Sequence, residues 1–298
     1  MKLRDFFQLV RIPTIFSSFS NAYAGYWIGG GGHGAKTLLL GLLAAGLYLM
    51  AGMALNDVAD FKVDRMERPG RPLPSGAIPV STAWMLSIGM LLLALICQWL
   101  ANPIAAVVGV FLILAIFLYN FLLKGTFLGP MAMGMCRLLN LLCGIALCAE
   151  GTSDLLYLPA STYWVLISLG FYIACVTYLA RDEVRGNATV RVRIFFTGLI
   201  LWVCAWLGFS AIHFSLLMIL LLAVLIRHLE FLWKPLSNLW KHPSSPPATG
   251  KSIGALLRSL PFTDVIAMLA TGVAWPLALL GLLWMLPGPF LVKRFYST

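Results

Sequence analysis

Apolar stretches of membrane-spanning length recur along almost the whole chain, and most of the polar connections between them are short. A helix needs about 20 mainly apolar residues to cross the hydrocarbon core of a bilayer. The pattern predicts an all-α, polytopic membrane bundle of about nine helices that forms one domain over residues 1–298. We expect the helices at roughly 13–29, 37–57, 80–100, 103–123, 128–149, 161–181, 193–211, 214–232 and 261–286.

Two longer segments need a separate interpretation. The apolar run 193–232 is too long for a single span, which places a break near Ile212 and His213. The stretch 241–251 is rich in Pro and Ser and has no apolar period, so it is predicted to be a flexible linker.

The composition excludes a soluble globule. Of the 298 residues, 60% are hydrophobic and 11% are charged, and the mean hydropathy is +0.90. This leaves too little polar surface to cover a globule in water. The charged, amphipathic start of the chain lacks the pattern of a removable signal peptide. All six cysteines lie in apolar segments without CxxC pairs, so we expect neither disulfides nor a zinc site.

Basic residues are concentrated on one side of the predicted bundle. With the N-terminus inside, 17 of the 21 Lys and Arg residues fall on the cytoplasmic side, while Lys36, Lys293 and Arg294 fall on the opposite side. Cytoplasmic loops of membrane proteins are enriched in Lys and Arg. We therefore expect a cytoplasmic N-terminus and cytoplasmic active-site loops, in the plasma membrane of a bacterium, with no nucleic acid among the partners.

Carboxylates recur with helical spacing where the second predicted helix meets a basic loop. Asn56, Asp60 and Asp64 are four residues apart, and Asp57, Asp60 and Asp64 follow a three-and-four spacing that also selects one helix face. Like charges on one face repel, so a cation among them is the simplest compensation. Oxygen ligands without His or Cys suit Mg²⁺, which binds one or two carboxylates together with substrate phosphates.

Arginines follow these carboxylates and could bind the remaining phosphate oxygens. Arg65, Arg68 and Arg71 are close in sequence, and the guanidinium group suits bidentate phosphate recognition. The arginines alone are equally well explained as ordinary cytoplasmic loop charges. Combined with the acidic spacing, they predict a site for magnesium and a diphosphate.

The segment 56–76 resembles the first signature of the UbiA superfamily of intramembrane prenyltransferases, an NDxxDxxxD stretch followed by an arginine and RPLxxG. The residues that match are Asn56, Asp57, Asp60, Asp64, Arg68 and the run from Arg71 to Gly76. The position at the end of the second helix and the count of nine helices are also similar to that family. The resemblance therefore covers essentially the full chain.

Two other elements are compared with the same family. Tyr119 and Lys124, at the end of the fourth predicted helix, match a tyrosine that precedes a lysine; without the first signature, they would be ordinary interfacial anchors. In the second acidic motif, Arg181 and Asp182 align with the family's Arg-Asp, but Leu179 stands where an earlier aspartate is expected. This departure is similar to the EboC-like branch, which would make the acceptor a polyol and not an aromatic ring.

Polar residues also occur inside predicted helices. Arg137 and Asn140 are three residues apart in the fifth helix, and Asn21 lies in the first. A charge at mid-membrane is costly and normally faces a polar cavity, so we place these residues at an acceptor cavity. A helix-bridging hydrogen bond, or an interfacial position for Arg137, explains them equally well.

The resemblance implies Mg²⁺-dependent transfer of an isoprenoid group from a prenyl diphosphate to a small acceptor, aromatic or polyol, within the membrane. It implies catalytic roles for Asp60, Asp64 and Asp182, further metal ligands in Asn56 and Asp57, and diphosphate contacts from Arg68, Arg71, Lys124, Tyr119 and Arg181. Two alternatives stay open. One is a lipid-binding or transport protein with this fold and no turnover. The other is a CDP-alcohol phosphotransferase, whose DG and AR pattern none of the acidic clusters has.

Overall fold

The chain is folded as a helical bundle. The computed structural model describes residues 2–181, 188–213 and 215–296, with side chains as far as residue 291, and this part contains no strand. The helices are α1 Leu3–Leu9, α2 Ile15–Ile28, α3 Gly34–Ala59, α4 Phe61–Glu67, α5 Val80–Ala101, α6 Pro103–Phe117, α7 Gly129–Ala146, α8 Thr152–Leu156, α9 Ala160–Ala180, α10 Ala188–Ile212, α11 Leu216–Lys241, α12 Pro246–Arg258, α13 Leu260–Ala270, α14 Trp275–Leu280 and α15 Pro287–Tyr296.

Eight helices in the described part are long and apolar enough to cross a membrane, with α6 and its π-helical end counted as one and α12 and α13 as another. The break predicted near Ile212 is confirmed, because α10 ends at that residue. The first expected span is the 14-residue α2, which is shorter than the other crossings. The last expected span, 261–286, is divided by a turn after α13, and a further apolar segment, Trp275–Leu291, follows.

This last segment runs back along α2 in the opposite direction. Near one end, the hydroxyl of Tyr23 donates to the carbonyl of Leu277 over 3.0 Å. Further along, the rings of Phe19 and Trp284 lie 5.3 Å apart, and α15 packs against α1. The C-terminal helix therefore lies at the same end of the bundle as the N-terminus. The expectation that residues 293 and 294 lie on the opposite side is wrong, because it missed this returning segment.

The predicted linker at 241–251 is also wrong for most of its length. Helix α11 extends to Lys241, and α12 begins at Pro246. Ser245 caps α12 by accepting a hydrogen bond from the backbone N–H of Ala248, and prolines occupy the first turn, where no intrahelical N–H donor is needed. Ser245 and the two prolines after it therefore begin a helix and do not form a flexible linker.

Two apolar cores flank the pair α2 and α7. One core is built mainly from α9 to α13, and the other from α3, α5 and α6. Between the cores, α2 and α7 approach closely through glycines: a Cβ on Gly144 would lie 2.6 Å from the carbonyl oxygen of Ala22. All six cysteines are unpaired in the structure. The site described next lies between these two halves, at the end that carries both termini.

Candidate functional site

The predicted aspartate segment lies on two helices that are almost continuous. Helix α3 ends at Ala59 and α4 begins at Phe61, and the backbone hydrogen bonds continue across the junction. The N–H of Asp60 donates to the carbonyl of Asn56 over 3.0 Å, and the N–H of Asp64 donates to that of Asp60 over 2.8 Å. The four-residue spacing therefore brings these side chains to one side of the helical segment.

Asp57 and Asp64 are buried and share one guanidinium group. Arg71 donates to Asp64 over 2.6 Å and to Asp57 over 3.4 Å. Arg11, which precedes α2, donates to the same oxygen of Asp57 over 3.0 Å. No local sequence pattern indicates this role of Arg11, because the contact joins residues 46 positions apart. Asp57 therefore pairs with two arginines, and its predicted role as a metal ligand stays a prediction.

Asp60 and Asn56 instead turn their oxygens towards Lys124. The lysine ammonium donates to Asn56 Oδ1 over 2.8 Å and forms a short ion pair with Asp60 Oδ2. Lys124 reaches this position because α6 ends in a π-helical segment, Leu118–Leu123, in which the N–H of Lys124 bonds to the carbonyl of Tyr119. Such π segments are frequent at functional sites. The pKa of the Lys124 ammonium is lowered, mainly because the group is buried. Its hydrogen bond to Asp60 and the charge of that carboxylate offset part of this lowering.

The donor set fits a hard divalent cation. Asn56 Oδ1 and Asp60 Oδ2 already converge on one positively charged group, the Lys124 ammonium, and both are oxygen donors of the kind that Mg²⁺ prefers. Within the described ranges, however, no three acidic, His or Cys side chains are grouped around a common point. Substrate phosphates and water would complete the coordination of a metal held here.

Eight of the expected site residues line one polar cavity of about 430 Å³. Five cationic and three acidic side chains contribute to its wall, which leaves an excess of two positive charges for an anionic ligand. The expected residues in this wall are Asn56, Asp60, Asp64, Arg68, Arg71, Tyr119, Lys124 and Arg181. Of the other residues expected at a diphosphate site, Asp57 does not line this cavity and Asp182 lies outside the described residues.

The second acidic segment is described only as far as Arg181. Its guanidinium group donates to the carbonyl of Lys124 over 3.3 Å and to that of Thr126. This contact joins the end of α9 to the loop after α6 and brings a further cation to the cavity. Leu179, which replaces the aspartate of the family pattern, is buried against the apolar core of α9 to α13.

A second, more apolar chamber of about 330 Å³ continues inward from the polar cavity. Arg11, Asn56 and Tyr119 line both spaces, so an apolar tail can enter the chamber while its anionic head stays in the cavity. Arg137 and Asn140, the residues expected at an acceptor cavity, line this chamber. The chamber thus opens into the polar cavity and has a mainly apolar lining. Arg137 and Asn140 form a polar wall on one part of that lining.

The polar wall of this chamber is tied to α2. Arg137 donates to the carbonyl and the hydroxyl oxygen of Ser17, each over 3.0 Å. Asn140 donates to Asn21 Oδ1 over 2.7 Å. Asn21 is fully buried behind Asn140 and in turn contacts Asp264, an acidic residue on α13 that the sequence reasoning missed. The sequence feature that could have indicated Asp264 is the presence of a carboxylate inside a mainly apolar helix.

Comparison with known proteins decides the family. The model of the UbiA prenyltransferase family matches residues 18–249. The chain belongs to this family. It is 27% identical over 248 residues to the digeranylgeranylglyceryl phosphate synthase of Sulfurisphaera tokodaii, a match that covers 76% of this chain and 89% of that protein. It is 32% identical over 127 residues to the enzyme of that name from Saccharolobus solfataricus, over 42% of this chain and 45% of that protein.

Solved structures share the fold of this UbiA family member. A UbiA homologue from Aeropyrum pernix K1 superimposes with a TM-score of 0.68 at 18% identity and covers 85% of this chain and 96% of its own. A homologue from Archaeoglobus fulgidus, solved with GPP and Mg²⁺, has a TM-score of 0.63 at 16% identity over 88% of this chain and 99% of its own.

The chain is therefore an integral, multi-pass membrane prenyltransferase of the UbiA family. This agrees with the polar cavity and the apolar chamber described above. The family assignment favours transfer over the transport and phosphotransferase alternatives that the sequence left open.

Proposed function

We propose that this UbiA enzyme transfers an isoprenoid group to a hydroxyl of a prenylated glycerophosphate. The observation that carries the proposal is the cation inside the apolar chamber: Arg137 lines this space, and two of its hydrogen bonds go to Ser17. A guanidinium group in an apolar wall suits a phosphate oxygen better than a neutral ring. The names of the relatives support the same acceptor class, since digeranylgeranylglyceryl phosphate synthase is named for a prenylated glycerophosphate product.

The polar cavity would bind the diphosphate of the donor. The excess of two positive charges in its wall attracts the trianion, and Arg68, Arg71 and Arg181 contribute guanidinium groups of suitable geometry. Tyr119 lies where the cavity meets the chamber and would contact the first carbon atoms of the donor. Asn56 and Asp60 would hold Mg²⁺, with Asp64 nearby, and Asp182 stays a prediction as a further ligand and catalytic residue.

The reaction exchanges one C–O bond for another. The bond between prenyl C1 and the bridging oxygen breaks, and its electron pair leaves on the diphosphate. The acceptor hydroxyl oxygen bonds to C1, and its proton passes to the departing diphosphate. Lys124 and the cavity arginines stabilise the charge that develops on the leaving group, and bound Mg²⁺ supplies the same stabilisation as a Lewis acid. The apolar chamber excludes water from the electron-deficient C1.

We also infer that the end of the bundle carrying this site faces the cytoplasm. Basic residues are concentrated there, and the C-terminal helix adds two more at the same end. The bacterial plasma membrane expected from the sequence stays a prediction, because the relatives named above are archaeal.

The acceptor assignment is tested by transfer of radiolabel from geranylgeranyl diphosphate in membranes. Three acceptors are compared: a prenylated glycerophosphate, the same lipid without its phosphate, and a hydroxylated aromatic acid. We expect label in the phosphate-bearing lipid alone, and a loss of about 100-fold with Arg137→Gln, since a charge-assisted contact is removed in an apolar wall. Equal labelling of the lipid that lacks phosphate would contradict the acceptor assignment.

A further inference from the structure

Asp264 is a fully internal carboxylate on α13 to which the mechanism above assigns no role. Its relative exposure is 2%, and it is the single charged residue within α13. One oxygen, Oδ2, has no hydrogen bond among the described residues. A buried ionisable group inside a membrane bundle is costly and commonly serves a site. The contacts of Asp264 therefore indicate which site it serves.

The contacts of Asp264 form a directed chain of hydrogen bonds across three helices. Asn21 Nδ2 donates to Asp264 Oδ1 over 3.1 Å, and Asn140 Nδ2 donates to Asn21 Oδ1 over 2.7 Å. An ionised carboxylate can only accept hydrogen bonds, whereas an amide side chain can face either way. Asp264 therefore fixes the orientation of the Asn21 amide. Asn21, together with the carbonyl of Ser18 that accepts from Asn140 Nδ2 over 3.4 Å, in turn fixes that of Asn140.

This orientation leaves the oxygen of Asn140 available at the chamber wall. Its contact with the hydroxyl of Ser18 is 3.3 Å, but that hydroxyl makes a shorter bond of 2.9 Å to the carbonyl of Ala45. Because a serine hydroxyl has a single hydrogen, Asn140 Oδ1 keeps capacity to accept another hydrogen bond. Asn140 lies on the turn of α7 that follows Arg137, and both side chains line the chamber.

Among the described residues, no ion pair joins Asp264 directly to Arg137. Each is tied to α2 through a different residue, since Arg137 bonds to Ser17 and Asp264 to Asn21. The wall therefore combines hydrogen-bond donors on Arg137 with a hydrogen-bond acceptor on Asn140. The Arg137 donors are not taken up by a direct ion pair with Asp264.

We propose that Asp264 is a positioning residue for acceptor binding, which orients Asn140 through Asn21 so that the chamber presents a hydrogen-bond acceptor beside the Arg137 guanidinium group. This pair recognises a hydroxyl group near an anionic oxygen, as in a glycerophosphate ester. The inference rests on the proposed function, because it assigns residues to the acceptor named there. If the Asn140 amide turned over, it would present donors to the hydroxyl and weaken that contact.

The test measures the Kd of a prenylated glycerophosphate by ligand-induced thermal stabilisation, with no donor present, so that turnover is not required. Asp264→Asn removes the fixed acceptor and lets the Asn21 amide turn. We expect the acceptor Kd to rise about tenfold, while the Kd of geranylgeranyl diphosphate stays within about twofold. In the double variant Asn21→Asp with Asp264→Asn, the carboxylate is at position 21 and the amide is at position 264. The Asn140 amide must then again donate a hydrogen bond to residue 21. It should restore the acceptor Kd to within about threefold of the wild type.

The control is Ser210→Ala, which removes a buried hydroxyl that bonds within α10 and does not line the chamber. It should leave both Kd values unchanged. A purely structural role for Asp264 predicts that both ligands weaken together with the melting temperature and that the double variant does not recover. That result, or an unchanged acceptor Kd in Asp264→Asn, would overturn the inference. Normal acceptor binding without product formation would instead count against the proposed transfer.

Discussion

The contact between Lys124 and Asp60 is the residue-level feature on which the proposed diphosphate site depends most. One ammonium group is bound by the same two oxygens, from Asn56 and Asp60, that suit a divalent cation. In the proposed site, Mg²⁺ and Lys124 would therefore compete for these oxygens until a diphosphate is present. With the substrate bound, its phosphate oxygens offer the ammonium group an alternative partner, so both cations can be accommodated.

Lys124→Met tests this competition. Removing the ammonium group frees the oxygens of Asn56 and Asp60, so we expect Mg²⁺ alone to stabilise the variant more than the wild type. The same change removes a cation from the developing charge, and transfer should fall about 100-fold. Thermal unfolding with increasing Mg²⁺ and the rate of prenyl transfer are the two measurements. Equal stabilisation of both proteins by Mg²⁺ would show that the ammonium group does not compete.

Arg71 has a different role, because its two carboxylate partners are buried. Arg71→Ala would leave Asp64 without its ion pair and Asp57 with Arg11 alone. We expect a loss of about 2–3 kcal/mol in the free energy of unfolding, since an uncompensated buried charge is costly. Arg227→Ala is the matched control: its ion pair with Glu230 is exposed and should contribute less than about 1 kcal/mol. Similar losses in both variants, measured by unfolding in detergent, would contradict this assignment.

Sequence spacing predicted which residues line the cavity better than it predicted their partners. Asn56, Asp60 and Asp64 could be found because helical spacing is local. The Asp57 contact with Arg11 and the Asn21 contact with Asp264 join residues 46 and 243 positions apart, and no local pattern encodes them. The reach of Lys124 depends on a π-helical turn, which side-chain periodicity does not indicate.

At the scale of elements, the pair α2 and α7 holds the two halves of the bundle together at short range. A Cβ on Gly25 would lie 2.3 Å from the carbonyl oxygen of Leu141, so the backbones pack with no room for a side chain. Small residues permit such approach between membrane helices. These helices also carry Asn21, Arg137 and Asn140, so their spacing sets the geometry of the chamber wall.

Gly144→Ala should therefore destabilise the protein and widen this contact. We expect a loss of about 2–4 kcal/mol, because the new methyl group meets backbone atoms that cannot rotate away. The control is Gly89→Ala on α5, where no atom lies within 4 Å of the added Cβ. It should be neutral or stabilising by up to about 1 kcal/mol, the helix preference of Ala over Gly. Equal melting temperatures of the two variants would contradict the close packing of α2 and α7.

The start of α12 shows how an element was missed although its signal was present. Ser245 followed by two prolines was interpreted by composition as a linker, but the same residues suit an N-cap and a first helical turn. The amphipathic period of α12 begins only after Pro247. The stretch 241–251 therefore contains too few residues of α12 to show this period. The turn after α13 was hidden for a similar reason, since Gly272 and Val273 interrupt an apolar run without a charge.

For the whole molecule, the returning segment Trp275–Leu291 changes the expected topology. Together with α2 and the eight long helices, it gives an even number of passes between the two ends of the bundle within the described part. Both termini then lie on one side. Basic residues alone could not indicate this, because Lys293 and Arg294 obey the positive-inside rule on the cytoplasmic side as well.

Reporter fusions check this topology directly. We expect a reporter attached to either terminus to lie on the cytoplasmic side, with the start of α3, which carries Lys36, on the other side. Accessibility of single introduced cysteines to an impermeant reagent gives an independent measurement. Termini on opposite sides would restore the odd number of crossings expected from the sequence and would contradict the packing of α15 against α1.

The central claim is that the polar cavity binds a prenyl diphosphate and that the enzyme releases diphosphate as it transfers the prenyl group. The most direct measurement compares released diphosphate with prenylated product in the same reaction, for the wild type, Asp60→Asn and the exposed control Glu230→Gln. We predict one diphosphate per product, a loss of both by about 100-fold in Asp60→Asn, and an unchanged control. Product formation without diphosphate release, or full activity of Asp60→Asn, would contradict the account.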